Sequence, residues 1–259
     1  MLEHDKKVAV VTGAGSGIGR EIALRLAKDG FDLTINDIRA EYLQNVAKEI
    51  ETIGVQCFTA IADVSNEAQV NKMMDDTFEK YGRIDVLVNN AAICPVRTLF
   101  DIEPEAMLKT FNVNIVSILI CVKAAAKYMM KQNKGKIINA ASQSSFRQVE
   151  ELLEYNASKW AVRGFTRSLA LMFGKYNITV NAYCPGIVES EMQDNLMEKV
   201  SEIRNISVEE YKEITRGVIP LGRFQPAEDV AKLVSFLASD AADNMTGQNI
   251  MINGGQVMC

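Results

Sequence analysis

KKVAVVTGAGSGIG, Lys6 to Gly19, is the stretch whose reading decides the fold. Its first half is a run of β-branched and small apolar residues too short for a helix. Its second half is glycine-rich and passes straight into a helical periodicity that lasts to about Lys28. A buried strand, a tight turn and a helix therefore follow one another without a linker. In that arrangement the unpaired N–H groups of the first helical turn and the positive end of the helix dipole face the space beyond the strand, which suits a pyrophosphate. The glycines Gly13, Gly17 and Gly19 are spaced G-x-x-x-G-x-G rather than the more familiar G-x-G-x-x-G. Together with Ser16 and Ile18 they are the first candidates for contacts to a dinucleotide.

The same rhythm repeats outward from this unit. FDLTIND precedes a helical pattern from about Ala40 to Thr52, VQCFTAIAD one from Asn66 to Tyr81, IDVLVNN two helices spanning Pro104 to Gln132, and GKIINAAS a long helix from Glu154 to Lys175. NITVNAYCP and a strand near Gln248 to Ile252 complete the series. Between them come a helical excursion from Glu191 to Thr215 and a helix opening at Pro226, a residue suited to a first helical turn. Strands such as VAVV and DVLV lack polar alternation, as when helices cover both faces of a sheet. The fold class expected is α/β, a Rossmann-type doubly wound parallel sheet of about seven strands with helices on both faces. No linker, repeat or low-complexity tract divides the chain, so residues 1–259 read as one domain. The polar stretch 186–225, without a matching strand, reads as a mobile lid over the substrate.

Acidic residues outnumber basic ones, 33 to 28, for a formal charge of -5, and no basic stripe runs along the sequence. Nucleic acid and an anionic membrane surface are therefore not expected partners. The most apolar window, Val113 to Met130, is interrupted by Asn114, Ser117, Lys123 and Lys127 and reads as a buried helix rather than a bilayer span. Cys57, Cys94, Cys121, Cys184 and Cys259 are scattered with no C-x-x-C pair, and the only histidine, His4, sits in the charged stretch EHDKK. Neither a disulfide framework nor a metal site is expected, and acid/base chemistry must do without histidine. With no secretory pattern at the start, a reducing cytoplasm is the expected compartment.

Asp37 stands at the end of the second strand, eighteen positions after Gly19, where a carboxylate can accept hydrogen bonds from the adenosine ribose and repel a 2'-phosphate. NAD(H) is therefore expected over NADP(H), with Arg39 as the nearby opposing charge; the competing reading of Asp37 is a helix N-cap. Asp63 and Val64 after the third strand and Asn90 in NNAA after the fourth lie at further strand ends. Each can border a flat ring or simply punctuate a loop. Tyr155 and Lys159 fall one helical turn apart, so that the ammonium can stabilise the phenolate. Bringing a tyrosine from about 10 to about 7 takes roughly 4 kcal/mol of differential stabilisation.

TGAGSGIG, Asp63-Val64, NNAA, Asn114, Ser142, YNASK and Pro185-Gly186, in this order over essentially the whole chain, resemble the short-chain dehydrogenase/reductase family in its single-domain, nicotinamide-dependent form. The resemblance implies that Tyr155 is the general acid/base and that Lys159 lowers its pKa and binds the nicotinamide ribose. It further implies that Ser142 orients the substrate oxygen, Asn114 supports a water-mediated proton relay, and Pro185, Gly186 and Val188 hold the nicotinamide carboxamide. Ala92 stands where the family more often has glycine. Within the family, KIINAASQ, NAYCPGIVES and MTGQNIMINGG are similar to acetoin/diacetyl reductases that also act as 2,3-butanediol dehydrogenases, with polyol dehydrogenases and 3-oxoacyl-carrier-protein reductases as alternatives. Gln143 is the candidate partner of a second substrate oxygen, or else a solvent-facing loop residue. Ser144, Gln148, Glu150 and Glu151 are the groups a sugar alcohol would use. Relatives of this kind are commonly tetramers, so a homotetramer is expected. The alternative from another class is a nucleotide-sensing protein, which has no need of the full acid/base set.

Overall fold

The computed structural model describes residues 5–258, so that His4 and Cys259 lie outside the described residues. The apolar run that opens the chain is β1 (Val8–Thr12), buried along its whole length. Strand alternation divides it between two cores, with Ala9 and Val11 on one side and Val10 on the other. β2 (Asp32–Asp37), β3 (Cys57–Ile61), β4 (Val86–Asn89), β5 (Gly135–Ala140), β6 (Ile178–Pro185) and β7 (Asn249–Ile252) join it in one sheet of order β3-β2-β1-β4-β5-β6-β7. Every neighbouring pair is parallel.

The helices are α1 (Gly17–Lys28), α2 (Ala40–Ile53), α3 (Glu67–Tyr81), α4 (Pro104–Phe111), α5 (Ser117–Gln132), α6 (Leu153–Phe173), α7 (Glu191–Arg204), α8 (Val208–Gly217) and α9 (Ala227–Ala238). α1, α2 and α9 supply Ile22, Leu26, Leu43, Val46, Val230 and Val234 to the core on one face. α3, α5 and α6 supply Val70, Met74, Ile118, Val122, Val162 and Leu169 to the core on the other. Each fully buried side chain of this size contributes roughly 1.5–3 kcal/mol. The doubly wound α/β fold expected from the strand rhythm is thus the observed one. The chain order reverses at β1, which lies between β2 and β4, and ligands of such sheets bind beyond the carboxyl ends of the strands at that reversal.

Four local features differ from the expectation. The two helices between Pro104 and Gln132 are joined by a π turn, Asn112–Val116, into one continuous segment. That segment has the length and apolarity to cross a membrane, yet 56% of its most apolar window is buried, with Ile118, Cys121, Val122, Ala125 and Met129 turned into the core beside α3. The excursion after β6 is two helices, α7 and α8, because Asn205 takes a left-handed conformation at the end of α7 and Ser207 caps α8 through the Glu210 N–H. They close over a small core of their own, Ile187, Met197, Val200, Tyr211 and Ile219. Pro226 caps α9 from outside its first turn. Finally, β3 has one paired edge only and is more exposed than the inner strands.

Candidate active site

The turn after β1 owes its glycines to close approach. Gly13 has φ +62°, and a Cβ there would lie 2.9 Å from Ala91 Cα; at Gly19 it would lie 2.0 Å from the Gly13 carbonyl oxygen. Gly17, at φ +53°, differs: a Cβ would meet nothing nearer than Ser190 Cβ at 3.7 Å, so this part of the turn faces open space. Ser16 begins α1 but makes no side-chain cap, because its hydroxyl accepts from Arg39 Nη2 at 2.9 Å. The first N–H groups of α1 therefore have no side-chain acceptor at the cap. Open space at Gly17 together with uncapped donors fits the pyrophosphate of a dinucleotide. Ile18, between them, packs on the core.

Asp37 ends β2 and is buried. Its Oδ2 accepts the Gly15 N–H at 3.2 Å, and its Oδ1 accepts the Arg39 N–H at 3.1 Å and Arg39 Nε at 3.4 Å. It is not the N-cap of α2, which is Arg39. The Arg39 guanidinium also stacks 4.0 Å above the Tyr42 ring. A carboxylate is thus held beside the glycine turn with one cation at its flank. Gly15 escaped the sequence reading, although it stands inside the quoted turn. A Cβ there would sit 2.8 Å from Asp37 Oδ2.

Asp63 and Val64 part company. Val64 is buried in the core, whereas Asp63 is exposed and its Oδ1 closes a local turn, accepting the Ser65 N–H at 2.9 Å and the Ser65 hydroxyl at 2.7 Å. Asn90 is the structural link between the two halves of the site. Its Nδ2 donates to the Thr12 and Gly13 carbonyls at 3.0 and 3.1 Å, and its Oδ1 accepts the Tyr183 hydroxyl at 2.9 Å. Thr12 ties β1 to β4 by accepting the Asn90 and Ala91 N–H groups. Thr12 and Tyr183 were also missed; the only signal for them was their place in the threonine-glycine turn and in NAYCPG.

Ser142 follows β5, Tyr155 and Lys159 ride on α6, and Asn114 lies in the π turn. The fold brings Ser142, Tyr155 and Lys159 together. Ser142 stands near enough to Tyr155 to pull the pKa of its phenol down. Lys159 Nζ lies 5.4 Å from the Tyr155 ring centre and donates to the Ala140 carbonyl at 2.7 Å. Asn114 is wholly buried and holds the frame: its Oδ1 accepts the Ile93 N–H, and its Nδ2 donates to the Ile93 carbonyl and to Ser158 Oγ, each at 2.9 Å. Ser158 Oγ in turn donates to the Tyr155 carbonyl at 2.7 Å. Its side chain thus braces α6, and π turns of this kind recur at functional sites.

The electrostatics differ from the sequence expectation of a phenol lowered toward neutral pH. Tyr155 is half-buried, and burial pushes its pKa above the ordinary tyrosine value; Ser142 pulls the other way and is outweighed. The same burial lowers Lys159 from 10.5 to about 8. The Cys94 thiol, in the same enclosure, is pushed up to about 12. Near pH 7 the protein's own groups therefore hold a neutral phenol beside an ammonium, a pair able to donate a proton.

Pro185 ends β6, and Gly186 and Val188 follow it at the same edge of the sheet. Gly186 cannot carry a side chain, since a Cβ would lie 2.9 Å from Asn253 Cα. Val188 forms a bridge with Gln225. Gln143 is partly buried rather than solvent-facing, and its Nε2 donates to Gln256 Oε1 at 2.8 Å. Glu151, a candidate polyol contact, is instead paired with Arg204.

A glycine turn made for a pyrophosphate and a Ser-Tyr-Lys set at the carboxyl edge of one parallel sheet define an oxidoreductase that works with a nicotinamide dinucleotide. The chain belongs to the short chain dehydrogenase family, whose model matches residues 7–201. It is 40% identical over 253 residues to a diacetyl reductase, (S)-acetoin forming, of Staphylococcus epidermidis, spanning 97% of this chain and 98% of that protein. It is 38% identical over 255 residues to an L-2,3-butanediol dehydrogenase of Corynebacterium glutamicum, again spanning 97% and 98%. Among solved structures, a xylitol dehydrogenase bound to NAD+ superposes with a TM-score of 0.94 at 29% identity, over 98% of this chain and all of that one. An actinorhodin polyketide ketoreductase variant with NADPH gives 0.94 at 34% identity, over 99% of each.

Proposed function

We propose that this chain is an NAD(H)-dependent enzyme interconverting small secondary alcohols and ketones that carry a neighbouring oxygen, diacetyl, acetoin and 2,3-butanediol first among them. The observation that carries the reading is Tyr155 beside a buried Lys159 one turn away, its Nζ 5.4 Å from the ring centre, with Ser142 near enough to act on the phenol. The nicotinamide, when bound, supplies or takes up hydride. Ser142 orients the substrate oxygen, and Tyr155 gives that oxygen its proton in reduction or takes it in oxidation. Lys159 holds the nicotinamide ribose and keeps positive charge beside the phenol, and Asn114 fixes the helix and supports the proton path. Because burial favours the neutral phenol, reduction needs no prior ionisation, whereas oxidation does; the oxidative rate should therefore rise with pH and the reductive rate fall.

The choice of NAD(H) rests on Asp37, whose carboxylate is fixed where a 2'-phosphate would meet it. Arg39 favours a second reading, NADP(H), since its guanidinium reaches Ser16 at the turn. Asp37 already compensates that cation at 3.4 Å, and this pairing and the burial of the carboxylate support NAD(H). Gly13, Ser16, Gly17, Ile18 and Gly19 surround the pyrophosphate, Asp63, Val64 and Asn90 border the adenosine half, and Pro185, Gly186 and Val188 the carboxamide. For the substrate, the names of the two relatives support a vicinal hydroxy-ketone. Gln143 supports it too, because its amide nitrogen is engaged by Gln256 and its Oε1 has no partner among the described residues. The polyol reading loses Glu151 to Arg204 and keeps Gln148 and Glu150. The reading includes one domain over 1–259, residues 186–225 as the lid, a cytoplasmic setting and a homotetramer. The last is supported by exposed apolar side chains on α4, the π turn, α5 and α6: Leu108, Val116, Leu119 and Trp160.

The test is oxidation of NADH and NADPH against diacetyl, acetoin, fructose, sorbose and an acetoacetyl thioester, with Tyr155→Phe alongside the wild type. NADH with diacetyl or acetoin should be fastest, and Tyr155→Phe should lose about 10²- to 10⁴-fold in kcat while still binding NADH. Wild-type turnover in that variant removes Tyr155 from the chemistry. Faster turnover of the thioester with NADPH favours the acyl-carrier reductase, and no turnover at all favours a nucleotide sensor.

A further inference from the structure

We infer that Arg204, at the end of α7, is a positioning residue for Tyr155: through Glu151 it fastens the 186–225 segment to the short 3-10 turn, Glu150–Leu152, that leads directly into the first turn of α6, which carries the phenol. The inference rests on the assignment of Tyr155 proposed above.

α6 starts at a weak point. Its N-cap is Leu152, which offers no side-chain acceptor, so the first turn has no capping group to hold its N–H donors. Tyr155 is in that turn, where a helix is least fixed, yet a group that delivers a proton must be held within about 0.5 Å of its productive place. Two ion pairs hold this region, one on the first turn of the helix and one on the short 3-10 turn, Glu150–Leu152, that runs directly into it. Glu154, next to Tyr155 and almost fully buried, accepts from Arg97 Nη1 through both oxygens at 2.7 and 3.0 Å. Glu151, also buried, receives Arg204 through a two-pronged contact, Nε to Oε1 and Nη2 to Oε2, the latter at 2.9 Å. The Arg97 N–H joins the two by donating to the Glu151 carbonyl at 3.0 Å.

The pairs come from different parts of the molecule. Arg97 belongs to the loop after β4, whereas Arg204 belongs to the α7–α8 segment and stacks 5.2 Å from the Tyr211 ring of α8. That segment has its own small core, against which Val96 also packs. Glu151 is held below the usual carboxylate range by the Arg204 guanidinium, so the pair stays charged at neutral pH. Withdrawing Arg204 would leave a buried carboxylate without its cation, which draws water toward the turn and loosens it. The position of α7 is thereby transmitted to the phenol by one forked contact. Arg suits the task, because its planar guanidinium fixes direction as well as charge, which an ammonium does not.

The test uses Arg204→Gln, Glu151→Gln, the double variant and Arg204→Lys, with three measurements: kcat on the best ketone of the panel, NADH affinity by fluorescence, and amide hydrogen exchange across residues 152–156. Each glutamine variant should lower kcat about tenfold and leave NADH affinity within about twofold, and the double should be no slower than the worse single, as for two members of one contact. Arg204→Lys should recover part of the loss, and exchange at 152–156 should quicken about fivefold or more in both glutamine variants. Either of two results overturns the inference: single losses that multiply in the double, or exchange at 152–156 equal to the wild type. The exchange measurement needs no turnover. If Tyr155→Phe keeps wild-type activity, the reading of the site fails while the fastening of the turn is still judged on its own.

Discussion

Lys159→Met separates what this residue costs the fold from what it gives the reaction. The ammonium is 2% exposed, and burial lowers its pKa from 10.5 to about 8. A difference of roughly 2.5 units corresponds to about 3 kcal/mol of unfavourable charge burial at neutral pH. The hydrogen bond to the Ala140 carbonyl and the placement beside the Tyr155 ring offset about 2 kcal/mol of it. Methionine fills a similar volume without charge, so the variant should be more stable by about 1 kcal/mol at pH 7. For a chain of this length that is a rise of roughly 2–4 °C in Tm. The pH dependence has a fixed sign. Between about 8 and 10.5 the folded protein binds fewer protons at this site than the unfolded chain, so the penalty is fully present below 8 and fades as pH rises through that window. The Tm advantage of Lys159→Met should accordingly shrink, then reverse, on going from pH 7 to pH 10.5, since the neutral amine keeps its hydrogen bond to the Ala140 carbonyl. Turnover should fall about 10²- to 10⁴-fold, since the phenol loses its neighbouring charge. Calorimetry at several pH values together with the NADH assay checks both halves. A variant that melts several degrees below the wild type by the same amount at every pH refutes the reasoning, because the hydrogen bond, not the charge, would then dominate.

Two further outcomes follow from the nucleotide side. Asp37→Ser removes the carboxylate that opposes a 2'-phosphate and releases Arg39 from its partner, so the preference for NADH over NADPH should fall at least about tenfold, read as the ratio of kcat/KM values. Gly19→Ala places a Cβ 2.0 Å from the Gly13 carbonyl and should cost about 3 kcal/mol or prevent folding. Gly17→Ala meets only Ser190 and should cost about 1 kcal/mol from backbone strain while weakening dinucleotide binding; denaturant melts and NADH titration distinguish the two.

Much of this was legible in the sequence, for identifiable reasons. Strands buried on both faces must be apolar throughout, so VAVV and DVLV declared a parallel sheet before any contact was known. The spacing of Tyr155 and Lys159 is a helical turn in any structure, and the glycines of the first turn are required by clashes as close as the one at Gly19. What stayed hidden depends on distance in the chain or on enclosure. The π turn at Asn114 arises where α4 and α5 pack as one helix, and no local residue announces it. Glu151 looked like a free polar group because its partner, Arg204, comes from 53 positions later. The pKa of Tyr155 runs opposite to the pairwise expectation because helical spacing reveals the neighbouring charge but not the depth at which both groups are buried.

The strand order also bears on how the chain comes off the ribosome. β4 is the middle strand of the sheet, and one of its edges pairs with β1, the first strand synthesised, while the other waits for β5. The half with the glycine turn is thus complete while the chain still shows an open, mostly apolar strand edge, and β5 repeats the exposure until all of α6 and then β6 have been made. Such edges recruit other nascent copies. High-level expression should therefore depend on temperature and chaperone supply far more than the stability of the finished enzyme would suggest.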